Sequence, residues 1–218
     1  MKIESNKFKT VYKTLLNNYG SQHWWPTTTN NKTFEIIIGA ILTQNTSWKN
    51  VEKAIRNLKE NNLVSVDGIK KVNIKRLAKL ITPAGYYNQK AVRLKIVAGF
   101  FGTNQNFGDA TDVNRMRAEL LNVKGIGPET ADSILLYAFE KPRFVVDSYT
   151  KRIFSRIGLC KENIGYDKLQ KMFHKNLGFN PQMFNEYHAL IVEHAKQYCA
   201  KKPKCNVCFL KKSCKRNV

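Results

Sequence analysis

Acidic residues are scarce in this chain: 16 Asp and Glu stand against 37 Lys and Arg, which leaves a formal net charge of +21. Such an excess of cations favours a polyanionic partner, because each neutralised phosphate releases condensed counterions. Nucleic acid is therefore the first candidate. From charge alone, a membrane-surface protein or a merely lysine-rich protein remains an alternative.

Long apolar runs are absent as well. No segment approaches the roughly 18 apolar residues that a membrane helix requires. The first ten residues, MKIESNKFKT, contain no apolar core of signal-peptide length. We therefore expect a cytoplasmic protein with no membrane partner.

The chain also lacks convincing β-strand patterns, internal repeats and low-complexity segments. Apolar residues at helical spacing occur instead in roughly ten segments, which predicts an all-α fold. The predicted helices cover residues 7–18, 33–43, 48–62, 74–81, 90–101, 112–121, 128–139, 148–157, 166–177 and 184–198.

A glycine turn, VKGIGPET, separates two of the predicted helices. Gly125 and Gly127 suit a tight reversal, because glycine accepts positive φ and lets backbone N–H groups approach a ligand. Pro128 opens the next helix, whose unpaired N–H groups and dipole attract an anion such as a nucleic-acid phosphate. The alternative is a plain helix–helix connection, because G-x-G alone occurs widely.

Asp147 follows the apolar tripeptide Phe144–Val146 and precedes a predicted helix that Ser148 would cap. A carboxylate here would be partly desolvated but close to a helix start, so it could stay ionised and usable. The simpler alternative is that Asp147 only caps the helix. The histidines show no pairing with a carboxylate in the sequence and are interpreted as structural or unassigned: His23, His174, His188 and His194.

Four of the five cysteines lie within the last twenty residues, spaced C-x5-C-x2-C-x5-C. In a reducing compartment such crowding favours metal ligands over disulfides. The spacing suits a cubane iron–sulfur cluster and a zinc ion equally well. The predicted ligands are Cys199, Cys205, Cys208 and Cys214.

The pattern L-x-x-V-K-G-I-G-P-x-T-A followed by V-V-D resembles the helix-hairpin-helix and catalytic aspartate of the endonuclease III superfamily of DNA glycosylases. GAILTQNT, GYYNQKA and the cysteine-rich C-terminus also match, so the resemblance covers most of the chain. It implies two helical lobes: a central bundle at 25–135 that ends in the hairpin, and a second lobe formed by 1–24 and 136–218.

The resemblance implies an enzyme that flips a damaged nucleotide out of duplex DNA and cuts its N-glycosidic bond. Asp147 would support the oxocarbenium-like sugar or activate the attacking water. The expected partner is double-stranded DNA with a damaged base, bound by a monomer that associates with the nucleoid through its DNA. For the cysteines the resemblance favours a [4Fe-4S] cluster over zinc, although family members usually have six residues in the first gap where this chain has five.

DNA contacts are also implied by the resemblance. Gln44 occupies the position of the side chain that fills the hole left by the flipped base, and Asn45 would brace the same loop. For Gln44 the alternative is a helix C-cap. The hairpin would supply further DNA contacts from Lys124, Gly125, Gly127 and Thr130.

Superfamily members that also cleave the DNA backbone have a lysine after the hairpin, which attacks the sugar as a Schiff-base nucleophile. This chain has Glu129 there, and a carboxylate cannot form that adduct. We therefore expect a monofunctional glycosylase that leaves the strand uncut.

Glu129, the pair Trp24 and Trp25 and the segment LTQNT resemble the 3-methyladenine DNA glycosylases of this superfamily. Aromatic faces and a carboxylate in the base pocket would favour a cationic alkylated purine, although each tryptophan could equally serve in packing. Two other functions remain open: a bifunctional glycosylase/AP lyase for oxidised pyrimidines, and a non-catalytic helix-hairpin-helix DNA-binding protein.

Overall fold

A computed structural model describes residues 2–215, and this part of the chain is helical with no β-strand, which confirms the all-α prediction. Three 3₁₀ turns and a π-helical turn at Ile134–Ala138 supplement the helices. The α-helices are α1 (Lys2–Tyr19), α2 (Lys32–Leu42), α3 (Trp48–Glu60), α4 (Val66–Lys71), α5 (Ile74–Leu80), α6 (Tyr87–Thr103), α7 (Val113–Leu121), α8 (Pro128–Ser133), α9 (Ser148–Ile157), α10 (Tyr166–Leu177) and α11 (Pro181–Gln197).

The observed helices differ from the predicted ones where a cap decides the boundary. Helix α4 was not predicted, because six residues are too few to show a helical period; it starts where Ser65 Oγ accepts from the backbone N–H of Gly68. Helix α11 starts three residues before the predicted Phe184, because Asn180 caps it by accepting from Met183 N. Local polar chemistry thus sets these boundaries.

Among residues 2–215, no helix combines the length and the apolar composition that crossing a membrane would require.

The chain divides into two compact units. The central unit is Trp25–Lys141, and the terminal unit combines Met1–Trp24 with Pro142–Val218.

Helix α2 is the centre of the central unit's core, where it contacts α3, α6 and α8. Every residue from Phe34 to Leu42 is buried, so its isoleucines are helical because apolar neighbours surround the whole helix. Glu35 is the polar exception in this run. Its carboxylate accepts from the backbone N–H groups of Thr28 and Thr29, so it anchors the loop that follows Trp25.

Lys90 is a second charged side chain inside the central unit, and only 1% of it is exposed. Its ammonium donates to the carbonyls of Leu42, at 2.9 Å, and Ala84, at 2.8 Å. Burial and the neighbouring Arg93 lower the pKa of Lys90 to about 8. A neutral lysine amine still has two N–H donors, one for each carbonyl, so it would keep both hydrogen bonds.

The terminal unit packs α1 against α10 and α11, and α9 against α11, around an aromatic core. Phe144 stacks on Phe173 with ring centroids 3.6 Å apart. The buried Tyr187 hydroxyl donates to the carbonyl of Phe8 at 2.9 Å. The core therefore fixes the backbone at Phe144, three residues before Asp147.

Replacing Lys90 by Met should reveal the depressed pKa of this amine. The folded-state pKa of about 8 lies below the ordinary lysine value of 10.5, so between these values the unfolded chain binds more protons and wild-type stability rises with pH. We expect the difference in unfolding free energy between wild type and Lys90→Met to grow by about 1–2 kcal/mol from about pH 7.5 to about pH 9.5, measured by urea denaturation.

Lys95 provides the matched control on the same helix. It also donates to two carbonyls, those of Lys70 and Val72, but it is only half-buried. Lys95→Met shows how the loss of a half-buried lysine with two such hydrogen bonds changes the unfolding free energy over the same pH range. If the difference between wild type and Lys90→Met did not change with pH, the burial-driven lowering of the Lys90 pKa would be contradicted.

Candidate functional site

The glycine hairpin of the central unit connects α7 to α8, and its two glycines serve different purposes. Gly125 has φ +94°, and a Cβ placed on it would lie 2.7 Å from Arg93 Cγ. Gly127 has φ −97° and ψ 178°, and a Cβ there would meet nothing within 4 Å. The expectation that both glycines need positive φ is thus wrong for Gly127, whose extended backbone any residue can adopt.

Gln44 is bonded to the hairpin through both ends of its amide. Its Nε2 donates to the carbonyl of Gly125 at 3.2 Å and to Thr130 Oγ1 at 3.0 Å, while its Oε1 accepts from Arg93. The backbone cap at the end of α2 is made by Thr43. The structure therefore brings together three predicted site residues, Gln44, Gly125 and Thr130. Gln44 is more than eighty positions from the other two in the sequence.

Three further predicted residues lie on the surface of the central unit. Asn45, Lys124 and Glu129 are all exposed, and Asn45 has a left-handed φ of 55°. Glu129 lies in the first turn of α8. Their side chains are thus accessible to a ligand.

Tyr86 is a prominent surface residue that the sequence prediction did not assign. It has φ 46° and is 66% exposed, an unfavourable combination for an aromatic residue outside a ligand contact. Lys90 bonds the carbonyl of Ala84 and that of Leu42, so the turn containing Tyr86 is tied to the end of α2. The segment GYYNQKA was the only sequence signal for this position.

Trp25 packs against the core of the central unit. A Cβ on Gly39 would lie 2.8 Å from Trp25 Cζ2, and the indole meets Trp48 edge-on at 5.0 Å and Tyr137 at 5.1 Å. Trp25 therefore has the packing contacts that the sequence analysis considered as an alternative to base stacking. Its ring remains half-buried. Trp24 is half-buried in the terminal unit.

Asp147, in the terminal unit, is the N-cap of α9, not Ser148 as predicted. Its Oδ1 accepts from Thr150 N at 2.7 Å and from Thr150 Oγ1 at 2.8 Å. The side chain is 13% exposed. Burial alone would raise the pKa of Asp147, but interactions with His188 and with Thr150 outweigh it and hold the pKa below its ordinary value. The result is a nearly buried carboxylate that stays ionised.

His188 lies beside that carboxylate, which corrects the interpretation of the histidines as unpaired with a carboxylate. Its Nε2 is 3.6 Å from Asp147 Oδ2, longer than a direct hydrogen bond but close enough for electrostatic attraction. The two residues are 41 positions apart, and no local pattern connects them.

The four C-terminal cysteines line one cavity, together with apolar side chains that include Ile153, Ile157 and Leu210. All four are thiols. Nitrogen atoms lie near two of the sulfurs: Arg156 Nη1 donates to Cys199 Sγ at 3.4 Å, and His194 Nε2 lies 3.6 Å from Cys208 Sγ. Among residues 2–215, no group of three or more Cys, His, Asp or Glu side chains is arranged to hold a single metal ion.

Two arginines of α9 hold the first part of this cysteine loop. Arg152 Nε donates to the carbonyl of Cys199 at 2.8 Å. Arg156 donates to the carbonyls of Ala200, at 2.7 Å, and Lys201, at 3.2 Å. The loop is therefore attached to the helix that Asp147 caps.

Comparisons with known proteins agree with one another. The sequence model of HhH-GPD superfamily base excision DNA repair proteins matches residues 38–178. A Methanocaldococcus jannaschii protein provisionally named the DNA repair glycosylase MJ1434 is 48% identical over 222 residues, which cover 97% of this chain and 99% of that protein.

Two solved structures are similar in fold. The H. pylori 3-methyladenine DNA glycosylase MagIII, bound to 1,N6-ethenoadenine, has a TM-score of 0.75 and 33% identity, covering 88% of this chain and 97% of that one. A trapped covalent intermediate of endonuclease III with DNA has a TM-score of 0.82 at 22% identity, covering 97% of this chain and 96% of that one. At 22% identity, the likeness to the endonuclease III structure shows a similar fold and nothing further.

Substitutions of the two hairpin glycines should separate an effect on folding stability from an effect on DNA binding. Gly125→Ala introduces both positive-φ strain and a clash with the stem of Arg93, so we expect a loss of about 1–3 kcal/mol in unfolding free energy. Gly127→Ala should change stability by less than about 0.5 kcal/mol. Its new methyl group would occupy the space in front of the hairpin and weaken binding of undamaged duplex DNA about tenfold or more.

Urea denaturation and fluorescence anisotropy measure the two effects on the same protein samples. If Gly127→Ala bound DNA as tightly as wild type, the hairpin surface at Gly127 would not be the DNA contact.

Proposed function

Because the chain belongs to the HhH-GPD superfamily of base excision DNA repair proteins and is a DNA glycosylase, we propose that it hydrolyses the N-glycosidic bond of an alkylated purine and leaves the DNA strand uncut. The family and the enzyme class agree with the sequence predictions. The substrate and the monofunctional mode are the new parts of the proposal.

The observation that carries the proposal is the state of Asp147. A carboxylate that is 13% exposed yet held in its ionised form suits a reaction in which positive charge develops on the sugar. As the bond between the sugar and the base breaks, the carboxylate stabilises the oxocarbenium-like sugar. Water then adds to the sugar, and Asp147 can accept its proton.

The monofunctional mode rests on Glu129. Strand cleavage in this superfamily proceeds through a lysine at the corresponding position, which forms a Schiff base with the sugar. Glu129 is exposed in the first turn of α8, and its carboxylate cannot form that bond. Water is then the nucleophile, and the product is an abasic site in an intact strand.

The choice of base rests on aromatic side chains and charge. Trp25 is a half-buried aromatic side chain beside Trp48 in the central unit, and an aromatic face favours cationic alkylated bases. Trp24 and Glu129 are further candidates for contact with the base. The similar H. pylori glycosylase acts on 3-methyladenine and holds 1,N6-ethenoadenine, which supports a modified adenine as the substrate.

The remaining DNA contacts lie in the central unit. The hairpin with Lys124 and Thr130 would hold the phosphate backbone, and Gln44 would enter the space left by the flipped base, with Asn45 bracing its loop. Because the Gln44 amide is bonded to Gly125, Thr130 and Arg93, its insertion requires these bonds to be exchanged for bonds to DNA. Tyr86, exposed on the neighbouring turn, is an additional candidate for stacking.

The chemistry of the cysteine loop suits a metal cluster. Four thiols line an apolar cavity, and nitrogen atoms of Arg156 and His194 lie near two of the sulfurs. Such a donor set is typical of an iron–sulfur centre. We propose that Cys199, Cys205, Cys208 and Cys214 hold a [4Fe-4S] cluster, which would staple the loop to α9.

A purely structural role for Asp147 is the main alternative, and it has an observation in its favour. The hydrogen bonds from Thr150 to Asp147 are those of an ordinary helix cap. The experiments below distinguish a cap from a catalytic carboxylate.

Base release should require the Asp147 charge. On duplexes that carry 3-methyladenine, 7-methylguanine, 1,N6-ethenoadenine, hypoxanthine, uracil or thymine glycol, we expect wild type to release a modified purine. Asp147→Asn should slow that release about 10²–10⁴-fold with unchanged DNA affinity, because asparagine still caps a helix. Asp67→Asn removes one exposed charge and serves as the control that should keep full activity.

Covalent trapping tests the mode of cleavage. With borohydride present, wild type should give no covalent enzyme–DNA adduct, because Glu129 offers no amine, and alkali should be needed to break the strand after base release. A trapped adduct in good yield would instead establish the bifunctional glycosylase/AP lyase.

The cluster proposal is tested without an activity assay. Purified wild type should contain about four iron and four sulfide per chain, measured chemically, and Cys208→Ser should lose most of both. Cys160→Ser, which changes the cysteine outside the loop, is the matched control and should keep them. One zinc per wild-type chain with no sulfide would overturn the iron–sulfur assignment.

A further inference from the structure

The two oxygens of the Asp147 carboxylate have different surroundings. Oδ1 accepts both hydrogen bonds from Thr150, at 2.7 and 2.8 Å. Oδ2 faces His188 Nε2 at 3.6 Å. If Asp147 acts on the sugar or on water, Oδ2 is the oxygen with acceptor capacity left for that task.

The position of His188 is set by the fold of the terminal unit. It lies on α11, which contacts α9 and α1, and its imidazole is buried and meets Phe144 edge-on at 6.4 Å. Its neighbour Tyr187 is fully buried and bonded to the carbonyl of Phe8. Burial of the ring restricts its rotation, and its Nε2 faces the carboxylate.

We propose that His188 is a positioning residue for Asp147: its Nε2 edge holds the Oδ2 oxygen in the ionised, correctly oriented state that acts on the sugar. The proposal rests on the proposed role of Asp147. The long distance is compatible with it, because catalytic hydrogen bonds in free enzymes are often long and tighten when the substrate binds. Electrostatic attraction from His188 also contributes to the depressed pKa of Asp147.

The test compares His188→Leu, which removes the ring nitrogens, with His188→Gln, whose amide can donate to Oδ2. A matched control is available in His174, a second buried histidine of the same unit, whose Nε2 accepts from the backbone N–H of Phe144 at 3.1 Å. His174→Gln changes a buried histidine of similar exposure without touching the carboxylate. Circular dichroism and thermal melting establish that each variant is folded.

Two measurements are made on these variants. Carboxyl ¹³C NMR gives the pKa of Asp147, and single-turnover assays give the rate of base release from 1,N6-ethenoadenine and 3-methyladenine duplexes. For His188→Leu we expect the pKa of Asp147 to rise, because the attraction from His188 is lost, and base release to slow about tenfold, because the carboxylate loses the contact that orients it. DNA affinity should stay within about twofold of wild type.

His188→Gln should recover most of the rate, and His174→Gln should match wild type in both measurements. The proposal is overturned if His188→Leu leaves both the rate and the pKa of Asp147 unchanged. It is also overturned if His188→Leu and His188→Gln are equally impaired, because then the ring acts through packing alone.

Failure of the proposed function has a separate signature. If wild type releases neither base, or if Asp147→Asn keeps full activity, the glycosylase mechanism through Asp147 is wrong. The NMR titration still reports whether His188 controls the carboxylate in that case, because it needs no substrate.

Discussion

Two cations on one face of α6 hold together segments of the central unit that the chain itself leaves far apart. Lys90 joins the end of α2 to the turn before Tyr86, and Arg93, almost one turn later, bonds Gln44 where that side chain meets the hairpin. The side chain of Arg93 can pack this close to the hairpin only because Gly125 has no Cβ. The shape of the proposed DNA-binding surface thus depends on a buried amine and its guanidinium neighbour.

Helix α9 plays the corresponding part in the terminal unit. Asp147 caps its first turn, while Arg152 and Arg156 along the same helix bind carbonyls of the cysteine loop. A helix is stiff over this length, so the placement of the carboxylate and that of the loop are mechanically coupled. A metal cluster in the loop would then contribute to the site by holding α9, without any redox chemistry.

The bonds that make Asp147 a helix cap also prepare it for catalysis. Thr150 occupies one oxygen and the helix start favours the negative charge, so an ordinary structural motif yields an ionised carboxylate in a nearly buried position. What distinguishes this aspartate from a simple cap is the second oxygen and the histidine beside it. Family membership alone would not have pointed to His188.

The sequence by itself determined the helical class, the family, the hairpin and the position of Asp147, because helical periodicity, glycine turns and cap residues act over a few neighbouring positions. It also located the four clustered cysteines. Only the tertiary structure decided that Gln44 bonds the hairpin, that Gly127 needs no special φ, that Trp25 packs on Gly39 and that His188 lies beside Asp147. These pairings join residues from separate helices and loops, and their distances depend on how the core packs, which no local pattern in one sequence records.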